Sequence, residues 1–500
     1  MARRAHKSSP ASAAPDDRLE RYRALLAPEV FDRLALAAQQ DLPVGVRANP
    51  LKVTPRAALA DWTRRYAWNA HPVPFCEEGI QVERGGVPPG RTLEFRMGQY
   101  YIQDAASMLP AMLFNLDRPA PLLLDLAAAP GGKSTHLAAR TGDRGLLVAN
   151  DTSPARAEAL RSALRDWGAA SACVTALPGE RLAAWTPDTF DGVLLDAPCS
   201  MENFAYEGDK KRSVSTREHD QLAGRQARLL LAALHAVRPG GQVVYSTCTL
   251  YPGEDEGVLD DLLRRFPGLF RVEEVPARLG LTAPGLHSDG ERQFDPQAER
   301  ALRVWPHLFR TGGFFAARLT RTGDGPGLSA PEPPDRDFSA ALGNPATAGL
   351  SAAATAWLRD AFGLDLETLQ AEMDLALYVR AGRGTEQRLT LVPRVWLERF
   401  NRIPALAVGL PLGEWDGAAL TPSHEFAARF YGRFTAGIVT VSPTQLADWL
   451  RGADLPRPGG VSPGAGTVLV RDEDGRFAGR ARVGGEKLKN LLPRGKALAG

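Results

Sequence analysis

The stretch LLLDLAAAPGGKSTHLAAR, residues 122–140, decides the fold. It runs as an apolar strand, a turn of small residues and a helix start. That order puts backbone N–H groups and a helix dipole at the C-terminal edge of a sheet, where ligands bind. Two nucleotide patterns compete for it, and both fail. The leading glycine of the phosphate-cradling P-loop falls on Ala127, and the GxGxxG spacing of a dinucleotide site is missing. What remains, Ala127, Ala128, Ala129, Pro130, Gly131, Gly132 and Lys133, suits a ligand with less phosphate, such as S-adenosyl-L-methionine. Such a ligand needs an acid at the end of the next strand to accept from ribose hydroxyls. GLLVAND supplies Asp151, nineteen residues after Gly132, close to the roughly twenty expected. Asp151 or Ser153 equally suits a helix N-cap, and both readings stay open. Lys133 is a cation at the positive end of a helix dipole, which is slightly unfavourable and implies a reason for its presence.

Outward from this stretch, residues 120–320 alternate short apolar runs with helical periodicity, the pattern of βαβ units and a parallel sheet. Strands are expected at LLLDLAA, GLLVAND, ACVTAL, DGVLLDAP and GQVVYSTC. Helices are expected at SPARAEALRSALRDWG and at HDQLAGRQARLLLAALHAVRPGG, which ends in a Pro-Gly-Gly stop. ALRVWPHLF and GGFFAARLT read as a closing antiparallel hairpin. The chain then divides into a disordered tail (1–18), an N-terminal α+β region (19–115), an α/β Rossmann-like domain (116–320), a Pro/Gly-rich linker (321–346) and a C-terminal region (347–500).

Composition sets the bounds. Five hundred residues at 44% hydrophobic can bury more than one core. A net charge of +2 announces no nucleic-acid partner, so any such surface must be local. No apolar run reaches membrane-spanning length, and the basic N-terminus lacks a signal-type apolar stretch, which points to the cytoplasm and to no membrane partner. The four cysteines show no CxxC pair, which argues for a reducing compartment and against structural zinc, so no metal is expected. Without heptads or exposed apolar repeats, a monomer is the default.

Two of those cysteines end adjacent strands. Cys199 in DAPCS follows the fourth strand and Cys248 in YSTCT follows the fifth, so both should converge with Asp196 near the small-residue loop. Cys76 and Cys173 have no such context and read as small buried hydrophobes.

DLAAAPGGKSTHLA, DAPCS and YSTCTLYPGEDEG, in this order and spacing, resemble the motifs of the Nop/Sun family of RNA 5-methylcytosine methyltransferases. VRANPLK, YIQDAASMLP, RVWPHLFRTGGFF and LKNLLPRG are similar to the branch acting on small-subunit ribosomal RNA. The resemblance implies S-adenosyl-L-methionine as cofactor, held by Ala127 to Lys133, Asp151, Asp196 and Arg156. It also implies small-subunit ribosomal RNA or its precursor particle as partner. Cys248 would be the nucleophile at carbon 6 of cytosine, which makes carbon 5 reactive. Asp196 would hydrogen-bond ring nitrogen 3, and Cys199 would assist loss of the carbon-5 proton and release of product. A tRNA or DNA cytosine-5 methyltransferase and a non-catalytic RNA-binding assembly factor are the alternatives.

The chain departs from the family pattern in places. After DAPCS it reads MENFAYEGDKKR, with Lys210, Lys211 and Arg212 shifted downstream. Pro178 stands where an adenine-contacting polar group is expected, leaving Glu180 or the backbone as substitutes. Asp255 replaces an asparagine, a change that a helix start should tolerate. From 476 to 496 there are seven Lys or Arg against one Glu, a pattern suited to phosphate tracking. The resemblance makes this end a PUA-like RNA-binding module and the N-terminal region a second RNA surface.

Overall fold

The computed structural model describes residues 17–497 apart from 84, 205–213, 325–326, 329–331, 383 and 463–465. Lys210, Lys211, Arg212 and nearly all of the expected tail lie outside the described residues. Four strands open the fold: β1 (Val44–Ala48), β2 (Ala70–Val73), β3 (Cys76–Val82) and β4 (Tyr100–Ile102), in the order β2-β3-β1-β4. Val46, Ile80, Val82 and Tyr100 of this sheet bury against Leu59 and Trp62 of the helix Pro55–Arg65, which starts on a proline, where the missing N–H is harmless.

The central sheet contains β5 (Leu122–Asp125), β6 (Leu146–Asn150), β7 (Ala172–Thr175), β8 (Phe190–Asp196), β9 (Val237–Thr247), β10 (Phe270–Val272), β11 (Leu302–Val304) and β12 (Phe314–Arg321). Its order is β10-β12-β9-β8-β5-β6-β7, with β11 beside β12. Strands β5 to β9 pair in parallel, while β12 runs antiparallel to β9 and β11. The expected hairpin therefore forms. Parallel strands covered on both faces should read as unbroken apolar runs, and β5 and β6 are buried at every position. Helices α1 (Gly132–Arg140), α2 (Pro154–Trp167), α3 (Gly179–Trp185), α4 (Thr216–Ala236) and α5 (Glu256–Arg265) connect these strands. The chain leaves β5 toward β6 on one side and returns to β8 on the other, so the crevice past β5 and β8 is the switch point where such sheets bind ligands. α4 stops at Ala236, and the Pro-Gly-Gly that follows belongs to the irregular start of β9 rather than to a helix end.

The C-terminal region forms two five-stranded sheets, spanning residues 344–422 and 438–490, and it does not stand apart. Ala407–Val408 adds an antiparallel edge strand to β7. Trp396 and Phe400 enter the core beneath Phe190. Among the described residues no helix is long and apolar enough to cross a membrane.

Asp255 requires a correction. It does not rest on a helix dipole at a solvated helix start: it is fully buried, caps nothing, and lies 3.1 Å from the guanidinium of Arg303, with Thr247 Oγ1 donating to it at 2.6 Å. Arg303 is itself fully buried, pairs with Glu256 and donates to the Leu250 carbonyl at 2.8 Å. Breaking a buried pair by removing one partner strands the other charges. Arg303→Met should lower the unfolding free energy by about 3–5 kcal/mol in urea titrations; a loss under about 1 kcal/mol would mean that the carboxylates are not held by this pair.

Candidate active site

The loop after β5 is shaped by what glycine lacks. Gly131 has φ 113°, a left-handed conformation, and a Cβ there would come within 2.9 Å of Ala163. A Cβ on Gly132 would sit 3.1 Å from Gln103 Oε1 and 3.2 Å from Tyr101. Bare backbone thus faces a cavity of ≈ 200 Å³ whose lining includes Gln103, Asp125, Ala127–Pro130, Gly132, Lys133 and Asp196. Asp125, at the end of β5, was not singled out in the sequence, although LLLDLAA places it there. Ser134 donates to its Oδ2 at 2.6 Å, while Oδ1 is buried without a partner among the described residues. Burial pushes its carboxyl up to about 7, with Asp196 and Asp151 adding to the rise and Ser134 and Lys133 opposing it.

Lys133 has its reason. Its ammonium lies 2.8 Å from Asp196 Oδ2, and Ser246 Oγ donates to Asp196 Oδ1 at 2.8 Å. Burial works against the ammonium, but Asp196 outweighs it and holds the Lys133 pKa above its ordinary value. Asp151 directly follows β6, outside the lining of the cavity, and Ser153 rather than Asp151 is the N-cap of α2. One Asp151 oxygen accepts from Ser153 N at 2.9 Å and the other lies 3.4 Å from Arg156. Arg156 also donates to the Ala129 carbonyl at 2.7 Å, tying the acid to the loop. Glu180 is half-buried in the first turn of α3 and does not line the cavity.

The two cysteines meet. Cys199 Sγ and Cys248 Sγ are 3.3 Å apart, both half-buried and both free. The contact is the largest influence on each: it raises the Cys199 thiol well above its ordinary value and lowers that of Cys248. Burial and the Asp196 carboxylate oppose ionisation at both, the Lys133 ammonium partly offsets them at Cys248, and the contact between the two sulfurs sets the difference. Cys248 is the better thiolate and Cys199 the donor. Cys76 and Cys173 are buried in packed cores, with thiols pushed up to about 12 by burial.

A buried polar group fixes both cysteine loops. Glu254 accepts from Ser200 N at 2.9 Å, from Gln226 at 2.8 Å and, on its other oxygen, from His219 Nδ1 at 2.7 Å. Gln226 also donates to the Pro198 carbonyl at 2.9 Å. His219 stacks on Tyr251, with ring centroids 3.7 Å apart, and faces Glu202, which pairs with Arg21. None of these was visible in the sequence, since α4 reads only as an amphipathic helix.

The seven basic residues near the C-terminus divide into two groups. Arg476 pairs with Glu94 and Asp472, Arg480 is buried against backbone carbonyls, and Lys496 pairs with Asp166. Arg482, Lys487, Lys489 and Arg494 are exposed.

A doubly wound sheet with an antiparallel β12 and a cavity at the β5/β8 switch point defines a Rossmann-like methyltransferase. Residues 112–320 match the family described as 16S rRNA methyltransferase RsmB/F, and residues 14–105 match the N-terminal domain of 16S rRNA methyltransferase RsmF. The chain is 34% identical over 472 residues to ribosomal RNA small subunit methyltransferase F of Citrobacter koseri, covering 93% of this chain and 92% of that protein. Its Escherichia coli (strain SE11) counterpart is 33% identical over 470 residues, with the same coverage. A methyltransferase homolog from Pyrococcus horikoshii has a similar structure, with a TM-score of 0.54 and 29% identity over 60% of this chain and 93% of its own. NSun6 from Pyrococcus horikoshii, solved with SFG, shares the fold at a TM-score of 0.50 and 20% identity, over 62% of this chain and 99% of its own. The chain belongs to the ribosomal RNA small subunit methyltransferase F family.

His219 makes the cysteine loops sensitive to alkali. Burial lowers its pKa, but Glu202 and Glu254 together raise it from 6.5 to about 9. Stability contributed by this imidazolium is fully present below 6.5 and is lost as the pH rises through about 9. Urea titrations across that range should show unfolding free energy falling with pH in the wild type. The fall should be shallower in His219→Gln, and equal slopes would contradict the assignment.

Proposed function

We propose that the protein methylates carbon 5 of cytosine in small-subunit ribosomal RNA through a covalent adduct at Cys248. The observation that carries this reading is the pair of sulfurs 3.3 Å apart at the ends of adjacent strands, beside the Lys133–Asp196 ion pair. Ribosomal RNA as substrate rests on the family match and on relatives that bear that name over nearly their whole length. S-adenosyl-L-methionine is the methyl donor of this class, and the chain's residues fit it: a glycine cradle that a Cβ would fill, an unpartnered buried Asp125 oxygen and an acid at Asp151. Bound, it supplies an electrophilic methyl group.

The chain's own residues do the rest. The Cys248 thiolate adds to carbon 6, and the displaced electron pair makes carbon 5 nucleophilic. Asp196, held by Lys133 and Ser246, faces the ring-nitrogen edge of the pyrimidine and accepts from nitrogen 3 as that nitrogen gains a proton during the addition. Once carbon 5 carries the methyl group, its proton passes to solvent water with Cys199 assisting, and the electrons of that carbon–hydrogen bond re-form the ring double bond as the Cys248–carbon bond breaks and Cys248 leaves as the thiolate. The target must be unpaired or turned out of its stack to expose carbon 6. The exposed cations Arg482, Lys487, Lys489 and Arg494, on a PUA-like module, and the N-terminal sheet are the proposed RNA surfaces.

Small-subunit ribosomal RNA carrying 5-fluorocytosine tests the reading, because fluorine at carbon 5 blocks the last step and traps the adduct. With cofactor present, the adduct should form in the wild type, persist in Cys199→Ala and vanish in Cys248→Ala. Dependence on Cys199 instead would make the chemistry DNA-type. No adduct from any form, with cofactor bound, would favour a non-catalytic assembly factor.

A further inference from the structure

Gln103 follows β4 of the N-terminal sheet, yet it lines the same cavity as Asp125, Gly132 and Lys133. Its backbone is fixed: Gln103 N donates to the Gly45 carbonyl at 3.0 Å, and a Cβ on Gly45 would run into the Gln103 carbonyl. Its side chain is held in place by packing but has nothing to bond. Both the Oε1 and the Nε2 of Gln103 are shut off from solvent and have no hydrogen-bond partner among the described residues. Buried amides in folded proteins are almost always paired, because an unmade bond forfeits the desolvation penalty of the group. Two amide atoms left unpaired on the wall of a cavity therefore point to a ligand.

The cavity's other open atom shows which ligand chemistry fits. Asp125 Oδ1 is an unpaired buried acceptor on the same wall, and the N-terminus of α1 presents free backbone N–H groups at Gly132 and Lys133. Two acceptors, Asp125 Oδ1 and Gln103 Oε1, suit an ammonium with three donors. Donors from Gln103 Nε2 and the helix start suit a carboxylate. An α-amino acid zwitterion has these two groups on one carbon. On the cofactor reading above, on which this inference rests, the zwitterion is the aminoacyl end of S-adenosyl-L-methionine. We infer that Gln103, supplied by the N-terminal sheet, holds the aminoacyl end of the cofactor.

This assignment also accounts for the glycine at 132. A Cβ there would crowd Gln103 Oε1 at 3.1 Å, so the bare glycine lets the amide lie against the loop. It makes the N-terminal region part of the cofactor site as well as a proposed RNA surface.

Calorimetric binding of two thioethers tests it. S-adenosylhomocysteine carries the aminoacyl end, and 5′-methylthioadenosine lacks it while keeping the nucleoside and sulfur. In Gln103→Ala, affinity for S-adenosylhomocysteine should fall about tenfold to about a hundredfold, the range for lost hydrogen bonds to charged groups. Affinity for 5′-methylthioadenosine should stay within about twofold of wild type, which shows that the site is still folded. Gln103→Glu keeps the shape but turns a donor into an anion beside the carboxylate, and should show the same selective loss. Unchanged S-adenosylhomocysteine binding in both variants would overturn the assignment, as would equal losses for the two ligands. A wild type that binds neither ligand would overturn the cofactor reading and this inference together.

Discussion

The 3.3 Å contact between Cys199 and Cys248 constrains the rest of the site. Two thiols that close cannot both ionise, so the surroundings must choose between them. The hydrogen bond between the two thiols is the largest influence and favours Cys248 as the anion; Asp196 raises both thiols, and Lys133 offsets part of that rise at Cys248. The contact itself depends on β8 and β9 pairing in parallel with Asp196 opposite Ser246, which also brings the Ser246 hydroxyl to the carboxylate. A slip of one residue would turn every side chain at this edge to the other face. The buried network around Glu254 and Arg303 holds the two loops at that register.

The N-terminal sheet is structurally inseparable from the catalytic one. Arg47 of β1 is fully buried, donates to the Gly132 carbonyl at 2.9 Å and to Thr135 at 2.8 Å, and lies over the Trp167 ring. Burial lowers its pKa to about 10, still far above neutrality, so a fixed positive charge stands behind the cofactor helix. Lys52 donates to the carbonyls of Met97 and Asp166, and Arg96 donates to those of Lys496 and Ala497. Catalytic loop, N-terminal sheet and C-terminal end are therefore joined by buried and half-buried polar contacts, and the edge strand Ala407–Val408 adds a backbone link.

Much of this was legible in the sequence because it follows from local periodicity. The parallel strands read as apolar runs, and strand-end logic placed Asp196, Cys199 and Cys248 on one edge. Spacing placed Asp151 just past β6, but the choice of Ser153 as the cap depended on side-chain geometry that spacing does not encode. Other features are products of long-range packing. Gln103 is separated from Gly132 by a whole strand, and only the docking of two sheets shows its amide to be unspent. His219 looks like one position of an amphipathic helix, and Glu254 like part of a turn, until the burial of their partners is known. Asp255 read as a charge that a helix start tolerates because its counter-ion, Arg303, lies far along the chain. The basic C-terminal run was overcounted for the same reason: three of its cations are consumed by partners in distant segments.

The account's central claim is that the fold makes Cys248 the anion and Cys199 the donor. The direct measurement is the pH dependence of alkylation by iodoacetamide, with each thiol followed by mass spectrometry of its own peptide. Cys248 should react first, with an apparent pKa below the 9.0 of an ordinary thiol, and Cys199→Ala should raise that value. Preferential labelling of Cys199, or a Cys248 profile centred at or above 9.0 in the wild type, would contradict it.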